Sequence, residues 1–161
     1  MTSVVVEGTR PATTADLPVL LDLYEKAKEE LRVCRGRWYE CDALPEPVAD
    51  VFGVALRDEM PFPFLLLGTI DNYPVGYLLA TLIPMLPQAE DSVRGHLRFF
   101  VEMEAREIGI AEAMLDVGME RFRAHGVSSA DITVLPGQRA AKNFCEQHGF
   151  VARSLTMHRR W

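Results

Sequence analysis

Apolar residues along this chain follow two periods. Spacings of three and four mark helices, while short apolar or β-branched runs bounded by turn chemistry mark strands. Val4 to Arg10 opens with a β-branched run and is expected as a strand. Thr14 and Asp16 then offer N-cap and first-turn acidic chemistry for a helix. In that helix Leu17, Leu20, Leu21, Tyr24, Ala27 and Leu31 form one apolar face, and Pro18 fits because it lies in the first turn. Arg32 to Pro47 is irregular, and Val48 to Glu59 is a weaker helix. Phe64 to Ile70 and Val75 to Ile83 are apolar strands. The turn residues Asp71, Asn72, Tyr73 and Pro74 between them predict a hairpin.

After a proline-containing loop, Val93 to Glu102 is expected as a third central strand. Ile108 to His125 is a strong helix with a broad apolar face of Ile110, Met114, Val117 and Arg121, flanked by Met119 and Phe122; Gly126 closes it. Ala130 to Val134 is a short buried strand, Arg139 to His148 a helix closed by Gly149, and Val151 to Trp161 a final strand or two short ones. The order predicts an α/β (α+β) fold with helices on both faces of one sheet. With 161 residues and no linker or repeat, a single domain over 1–161 is expected.

Charge and cysteine content narrow the functional classes. A formal net charge of −6 argues against a nucleic-acid partner. Cys34, Cys41 and Cys145 are an odd, sparse set, which suits a reducing compartment, and they offer no ligand spacing for a metal. No apolar run approaches the roughly 20 residues that span a bilayer, and no basic region followed by an apolar core opens the chain. A cytoplasmic protein with no membrane partner is the expectation.

The segment Phe99-Phe100-Val101-Glu102-Met103-Glu104-Ala105-Arg106-Glu107-Ile108-Gly109-Ile110-Ala111 carries the chemistry. A hydrophobic strand runs through a turn into a long helix, and the turn reads Arg106-x-x-Gly109-x-Ala111. The first N–H groups of a helix have no intrahelical partner and lie at the positive end of its dipole. Small residues there let a pyrophosphate approach the backbone, and a preceding arginine can add charge. Neither the dinucleotide fingerprint nor a Walker A loop is present.

These residues resemble the signature [QR]-x-x-G-x-[GA] of the GNAT (GCN5-related N-acetyltransferase) superfamily, with Val101 at the family's spacing before Arg106. Other blocks resemble the family in the same order: Arg10 to Pro18 as its first strand–helix junction, Asn72 to Tyr77 as its hairpin, and Gln138 to Phe150 as its N-x-x-A-x-x-[LF]-Y-E-x-x-G-F block, matched at Ala141, Phe144, Glu146, Gly149 and Phe150. The resemblance implies acetyl-CoA as cosubstrate, bound in a cleft between two splayed parallel strands. The backbone of Phe99, Phe100 and Val101 would pair with the pantetheine arm. Arg106 and the amides of Glu107, Ile108, Gly109, Ile110, Ala111 and Glu112 would hold the pyrophosphate. Acyl transfer to an amine, by direct attack in a ternary complex, would follow. The acceptor would be a small-molecule or peptide amine, and a homodimer is a possible assembly.

Several positions depart from the family pattern. Cys145 stands where relatives carry the tyrosine that protonates the leaving thiolate. It could donate a proton, pack on its helix, or, with a base such as His148 beside it, become acylated. Gln138 replaces the asparagine that touches pantetheine. His96 lies near the family's general-base position but one residue out of the inferred alternation. Glu102 and Glu104 are expected in solvent, Asp131 could face the gap, and a base could be dispensable. Trp38 and Tyr39 could wall an amine pocket with Glu40 or Asp42 pairing its charge, or tuck onto the core. Two non-catalytic readings compete with the enzyme: an acyl-CoA-binding or sensor module on the same fold, and an interaction protein.

Overall fold

The computed structural model describes residues 7–33, 43–57, 59–89, 92–159 and 161. Among them the chain forms five strands and four helices: β1 (Glu7–Pro11), α1 (Leu17–Val33), α2 (Val48–Leu56), β2 (Phe64–Ile70), β3 (Tyr73–Pro84), β4 (Val93–Val101), α3 (Ile110–Ala124), β5 (Ala130–Ile132) and α4 (Arg139–Gln147). The strands lie in the order β1-β2-β3-β4-β5. The first four are antiparallel neighbours, and β5 runs parallel to β4. This is a mixed sheet, and it has helices on both faces as the alternating pattern predicted.

Local chemistry sets the element ends. Asp16 closes a capping box with Thr13 over the 3-10 turn Thr14–Asp16 that leads into α1. The β2–β3 hairpin is tighter than the sequence suggested. Asp71 and Asn72 both have positive φ, 49° and 67°, and Ile70 pairs with Tyr73. Two left-handed residues make a two-residue turn whose twist matches the strands, and Asp and Asn tolerate that conformation best after glycine. Tyr73 and Pro74 therefore belong to β3.

The sheet separates two apolar clusters. On one face Leu20, Leu23 and Tyr24 of α1 and Phe52 of α2 pack on Leu65, Leu67, Tyr77 and Leu79. On the other, Ile110, Met114, Leu115 and Phe122 of α3 pack on Leu66, Leu78, Leu97 and Val101. The predicted apolar face of α3 is corrected here. Leu115 and Gly118 turn inward, whereas Val117 is exposed. Gly118 allows the helix close to Leu78 and Leu97, whose methyls sit 3.3 Å from where a Cβ would stand. The close approach of a glycine to the sheet rotates the buried stripe away from Val117.

The expected C-terminal strand is also corrected. Residues 151–159 form no ladder with any described residue and are all exposed. Val4 to Val6, placed in the first strand by the sequence, lie outside the described residues, as do Trp38, Tyr39, Glu40 and Asp42 of the expected acceptor wall and the thiols Cys34 and Cys41.

Candidate functional site

The pairing of β4 with β5 is short. It covers Gly95 with Ala130, His96 with Asp131 and Leu97 with Ile132, and then stops. From Arg98 to Val101, β4 keeps β3 on one side, while its other edge carries no ladder among the described residues. An unpaired strand edge offers alternating N–H and C=O groups to an extended ligand, as an added strand would use them. A cleft opens at this point, lined by Phe99 and Phe100 of β4, Thr133 and Val134 beyond β5, Gln138 of the α4 entry and Glu30 of α1.

Beyond Val101 the chain makes a 3-10 turn at Met103–Ala105 and then the bend into α3. Glu107 has φ 65° and Gly109 φ 93°, so two left-handed residues within three aim the backbone at the helix start. Such a run of successive amides forms an anion-binding concavity. The first intrahelical bond is Ala113 N–H to Gly109 C=O, 2.9 Å, so the amides of Ile110, Ala111 and Glu112 precede the helical ladder. Glu107, Gly109 and Glu112 are exposed and Ile108 is half-buried, which keeps the turn accessible. Ile110 anchors the helix in the core beneath.

Arg106 takes a different place from the phosphate contact expected of it. Its Nε donates to the Val101 carbonyl at 2.9 Å and its Nη2 to Glu30 Oε2 at 2.5 Å. The guanidinium lies 5.8 Å from the Phe100 ring centroid. Its charge is thus paired with a carboxylate on α1, and its geometric effect is to fold the turn back on the end of β4. The nearby Lys26–Glu102 pair, 2.5 Å, makes a second tie between α1 and the end of β4. Glu102, expected in solvent, is half-buried by it.

His96 faces the cleft. Gly95, Leu97 and Val101 point toward α3, with Phe122 2.5 Å from where a Gly95 Cβ would stand. The alternation therefore turns His96, Arg98 and Phe100 to the α1 face, opposite Thr81, Leu79 and Tyr77 of β3. The observed alternation of β4 thus turns His96 toward the cleft, where the expected one set it a residue out of step. His96 Nε2 lies 3.2 Å from Thr133 Oγ1 across the gap. Asp131, by contrast, is held by Arg153, Nε to Oδ1 at 2.8 Å, and by Arg94 at 3.5 Å. The Arg153 hydrogen bond keeps its carboxyl below the usual range. It joins β4, β5 and the chain beyond α4, and does not line the cleft.

On α4, Gln138 and Ala141 line the cleft. The Gln138 Oε1 accepts from Leu135 N–H at 2.7 Å, leaving its amide NH2 as the group available to a ligand. Cys145 is 6% exposed and is not among the lining residues. Burial raises its thiol pKa above the ordinary value. The His148 ring is committed elsewhere, with Nδ1 2.8 Å from the Phe144 carbonyl and Nε2 3.6 Å from Glu112. Residues that the sequence reading did not single out also line the cleft, namely Tyr24, Lys28, Glu30, Tyr77, Arg98 and Thr133. The helix and strand periods placed several of these in the core or on a solvated face, and only the splay of β4 from β5 turns them into cleft walls.

A short parallel pair that splays beside a glycine turn at a helix start is the architecture of an acyl-CoA-dependent transferase. The chain belongs to the acetyltransferase (GNAT) family, whose model matches residues 20–150. Acetyl-CoA is its cosubstrate. The chain is similar in fold to a predicted acetyltransferase from Clostridium acetobutylicum solved with acetyl-CoA, at TM-score 0.72 and 13% identity over 96% of each chain. It is similar to the aminoglycoside N-acetyltransferase AAC(6')-Iy solved with CoA, at TM-score 0.72 and 13% identity over 100% of this chain and 98% of that one. A transcriptional regulator from Bacillus halodurans is 27% identical, with TM-score 0.71, over 95% of this chain and 99% of that one. No curated protein matches the chain in sequence. Among the described residues no helix is long and apolar enough to cross a membrane, and no group of three His, Cys, Asp or Glu is placed to hold a metal ion.

Proposed function

We propose that the protein transfers acetyl from acetyl-CoA to the amine of a small molecule or peptide by direct attack in a ternary complex. The open edge of β4 pairs with the pantetheine arm at Phe99 to Val101, and the amides from Glu107 to Glu112 receive the pyrophosphate. The acceptor nitrogen attacks the thioester carbonyl carbon, the C–S bond breaks, and the CoA thiolate leaves. His96 takes the proton from the attacking amine. The observation that carries this reading is the place of His96, on the same strand as the open edge, facing the cleft, with Nε2 beside Thr133. An aminoglycoside enzyme among the similar folds supports a small-molecule amine as acceptor. Trp38, Tyr39 and Glu40 are proposed to complete the acceptor wall.

A thiol-release screen with acetyl-CoA and a panel of amines tests the reaction. With a productive amine, His96→Gln should lower kcat by about a hundredfold or more and leave the acetyl-CoA-induced melting shift intact. An unchanged kcat removes His96 from the chemistry. One observation favours a second reading, an acyl-CoA-binding or sensor module without catalysis: the position of the usual proton donor holds a thiol buried away from the cleft lining. Binding of acetyl-CoA with no thiol release on any amine would favour that reading.

A further inference from the structure

Two cations line the cleft beside His96. Arg98 follows His96 by two residues on β4, opposite Leu79 of β3, so both side chains leave the α1 face of the strand about 7 Å apart. Lys28 reaches the same cleft from α1, with Nζ 5.7 Å from the Tyr24 ring centroid. Its side chain is 20% exposed, against 48% for Lys26 and 51% for Arg32 on the same helix, so of these three Lys28 leans inward. The Glu25 hydrogen bond raises its pKa, and the ammonium stays charged at neutral pH. Glu25 itself is exposed, and a solvent-screened pair of this kind contributes little, so it gives scant reason for drawing a lysine inward.

The other charges of the lining decide its sign. Among the described residues Glu30 is the one acid there, and Arg106 neutralises it at 2.5 Å. The described wall therefore carries a positive surplus, within a chain of net charge −6. The pyrophosphate of acetyl-CoA does not account for it. The amides proposed to receive that group begin α3, which packs on the opposite face of the sheet from α1. Lys28 instead lines the cleft together with Ala43, close in sequence to the Trp38 to Glu40 stretch proposed as acceptor wall.

We infer that the acceptor is an amine that also carries an acidic group, a carboxylate or a phosphate, held by Arg98 and Lys28 while its nitrogen lies at His96. This rests on the acetyl transfer proposed above and names the class of its acceptor. An anion between a guanidinium and an ammonium gains charge-assisted hydrogen bonds in a half-buried cleft. A guanidinium has several N–H donors, so a partner within the protein does not use up its fork. The same two cations repel a further positive group, which disfavours polyamines and aminoglycosides as acceptors. Arg98 and Lys28 thus set which amine is held and where, and take no proton themselves.

Thiol release by the full chain with acetyl-CoA tests this on matched amines: free amino acids against their amides, and phosphoethanolamine against ethanolamine, with spermidine alongside. At least one acid should exceed its uncharged partner by about tenfold or more in kcat/KM, and the pair with the larger ratio identifies the anion. For that acid, Arg98→Gln and Lys28→Gln should each raise KM by about tenfold with kcat nearly unchanged. Both variants should keep the acetyl-CoA-induced melting shift, which also proves that they fold. Arg98→Glu should reverse the preference between the acid and its uncharged partner. Uncharged amines or spermidine turned over as well as the acids overturn the inference and leave acetyl transfer standing. Loss of the acetyl-CoA shift in a folded Arg98→Gln variant would assign the cation to the cosubstrate, which also overturns it. Release with none of the acids does the same, and release with no amine at all removes the acetyl transfer as well.

Discussion

The Arg106 guanidinium meets Glu30 at 2.5 Å, joining the turn before α3 to a helix on the opposite side of the sheet. The same guanidinium holds the Val101 carbonyl. One side chain thus fixes both ends of the stretch between the open strand edge and the amides at the start of α3. An arginine suits the place because its planar fork donates in two directions at once, which an ammonium does less well.

Loss of that brace should therefore cost cofactor affinity more than stability. Arg106→Gln should weaken acetyl-CoA binding several-fold by calorimetry. The stability loss should stay near 1 kcal/mol, since the partly exposed pair is screened by solvent. Arg106→Lys should recover little. Equal losses in the cofactor-free melting point and in affinity would point to a merely structural pair.

Gly68 of β2 lies beneath the start of α3, where an added Cβ would stand 2.4 Å from Ile110 Cγ2 and 3.1 Å from Met114 Sδ. Both neighbours are buried, so the helix start has to lift to make room. Gly68→Ala should destabilise the protein by about 1–3 kcal/mol. It should also reduce acetyl-CoA affinity, because the lifted residues carry the amides proposed to receive the pyrophosphate. A variant with wild-type affinity and unfolding midpoint would show that the helix start has slack.

The sequence made the sheet legible wherever both faces of a strand are buried. Phe64–Ile70 is one apolar run flanked by proline and turn residues, and its predicted bounds match β2. The turn into α3 was legible because an apolar strand, a glycine-containing turn and a helix pattern follow one another from Phe99 to Ala111. Three features were not. The inward stripe of α3 depends on Gly118 approaching the sheet, which periodicity does not encode. The facing of His96 depends on the register of β4 against β3 and α3, which a nearly continuous apolar run does not encode. The role of Arg106 depends on Glu30, 76 residues away, and no local pattern announces that pair. The C-terminal residues predicted a strand, but a strand also needs a neighbour, and residues 151–159 form no ladder with the described chain.

Asp16 couples the first cap to pH. Arg10 holds both carboxylate oxygens at 2.8 Å, and Thr13 N–H bonds Oδ2 at 2.8 Å. The Arg10 hydrogen bond, opposed in part by burial and aided by Thr13, holds the Asp16 carboxyl well below the usual carboxylate range. A depressed folded-state pKa stabilises the fold above the unfolded value of about 3.9 and loses that contribution as pH falls below it. Asp16→Asn should cost about 1 kcal/mol at neutral pH, discounted because Arg10 is 43% exposed. The gap between wild type and variant should close in acid. Urea midpoints of the two proteins at neutral and acid pH check this, and a gap that widens in acid would contradict it.

Cys145 decides which chemistry the family's usual tyrosine position retains. Its thiol is buried, and burial, with the neighbouring Glu146 carboxylate, raises its pKa. The thiolate fraction at neutral pH is therefore below that of an ordinary cysteine, and the thiolate is the nucleophilic form. His148, the base that a covalent route would need, has its ring between the Phe144 carbonyl and Glu112. Alkylation of Cys145 in the cofactor-free protein should thus be slower than that of a free thiol. Cys145→Ala should cost about 1 kcal/mol of stability, as loss of a small buried group does, with turnover nearly unchanged. Cys145→Tyr separates donor from packing. If the position still serves the leaving thiolate, the ring restores the phenol and turnover holds or rises. If the side chain only packs, the added volume strains the α4 contact by about 1–3 kcal/mol without kinetic gain. The buried, protonated thiol favours the packing outcome. Intact-mass spectra with acetyl-CoA and no acceptor should show no adduct, and an acetyl group on Cys145 that forms and disappears at the turnover rate would establish the covalent route instead.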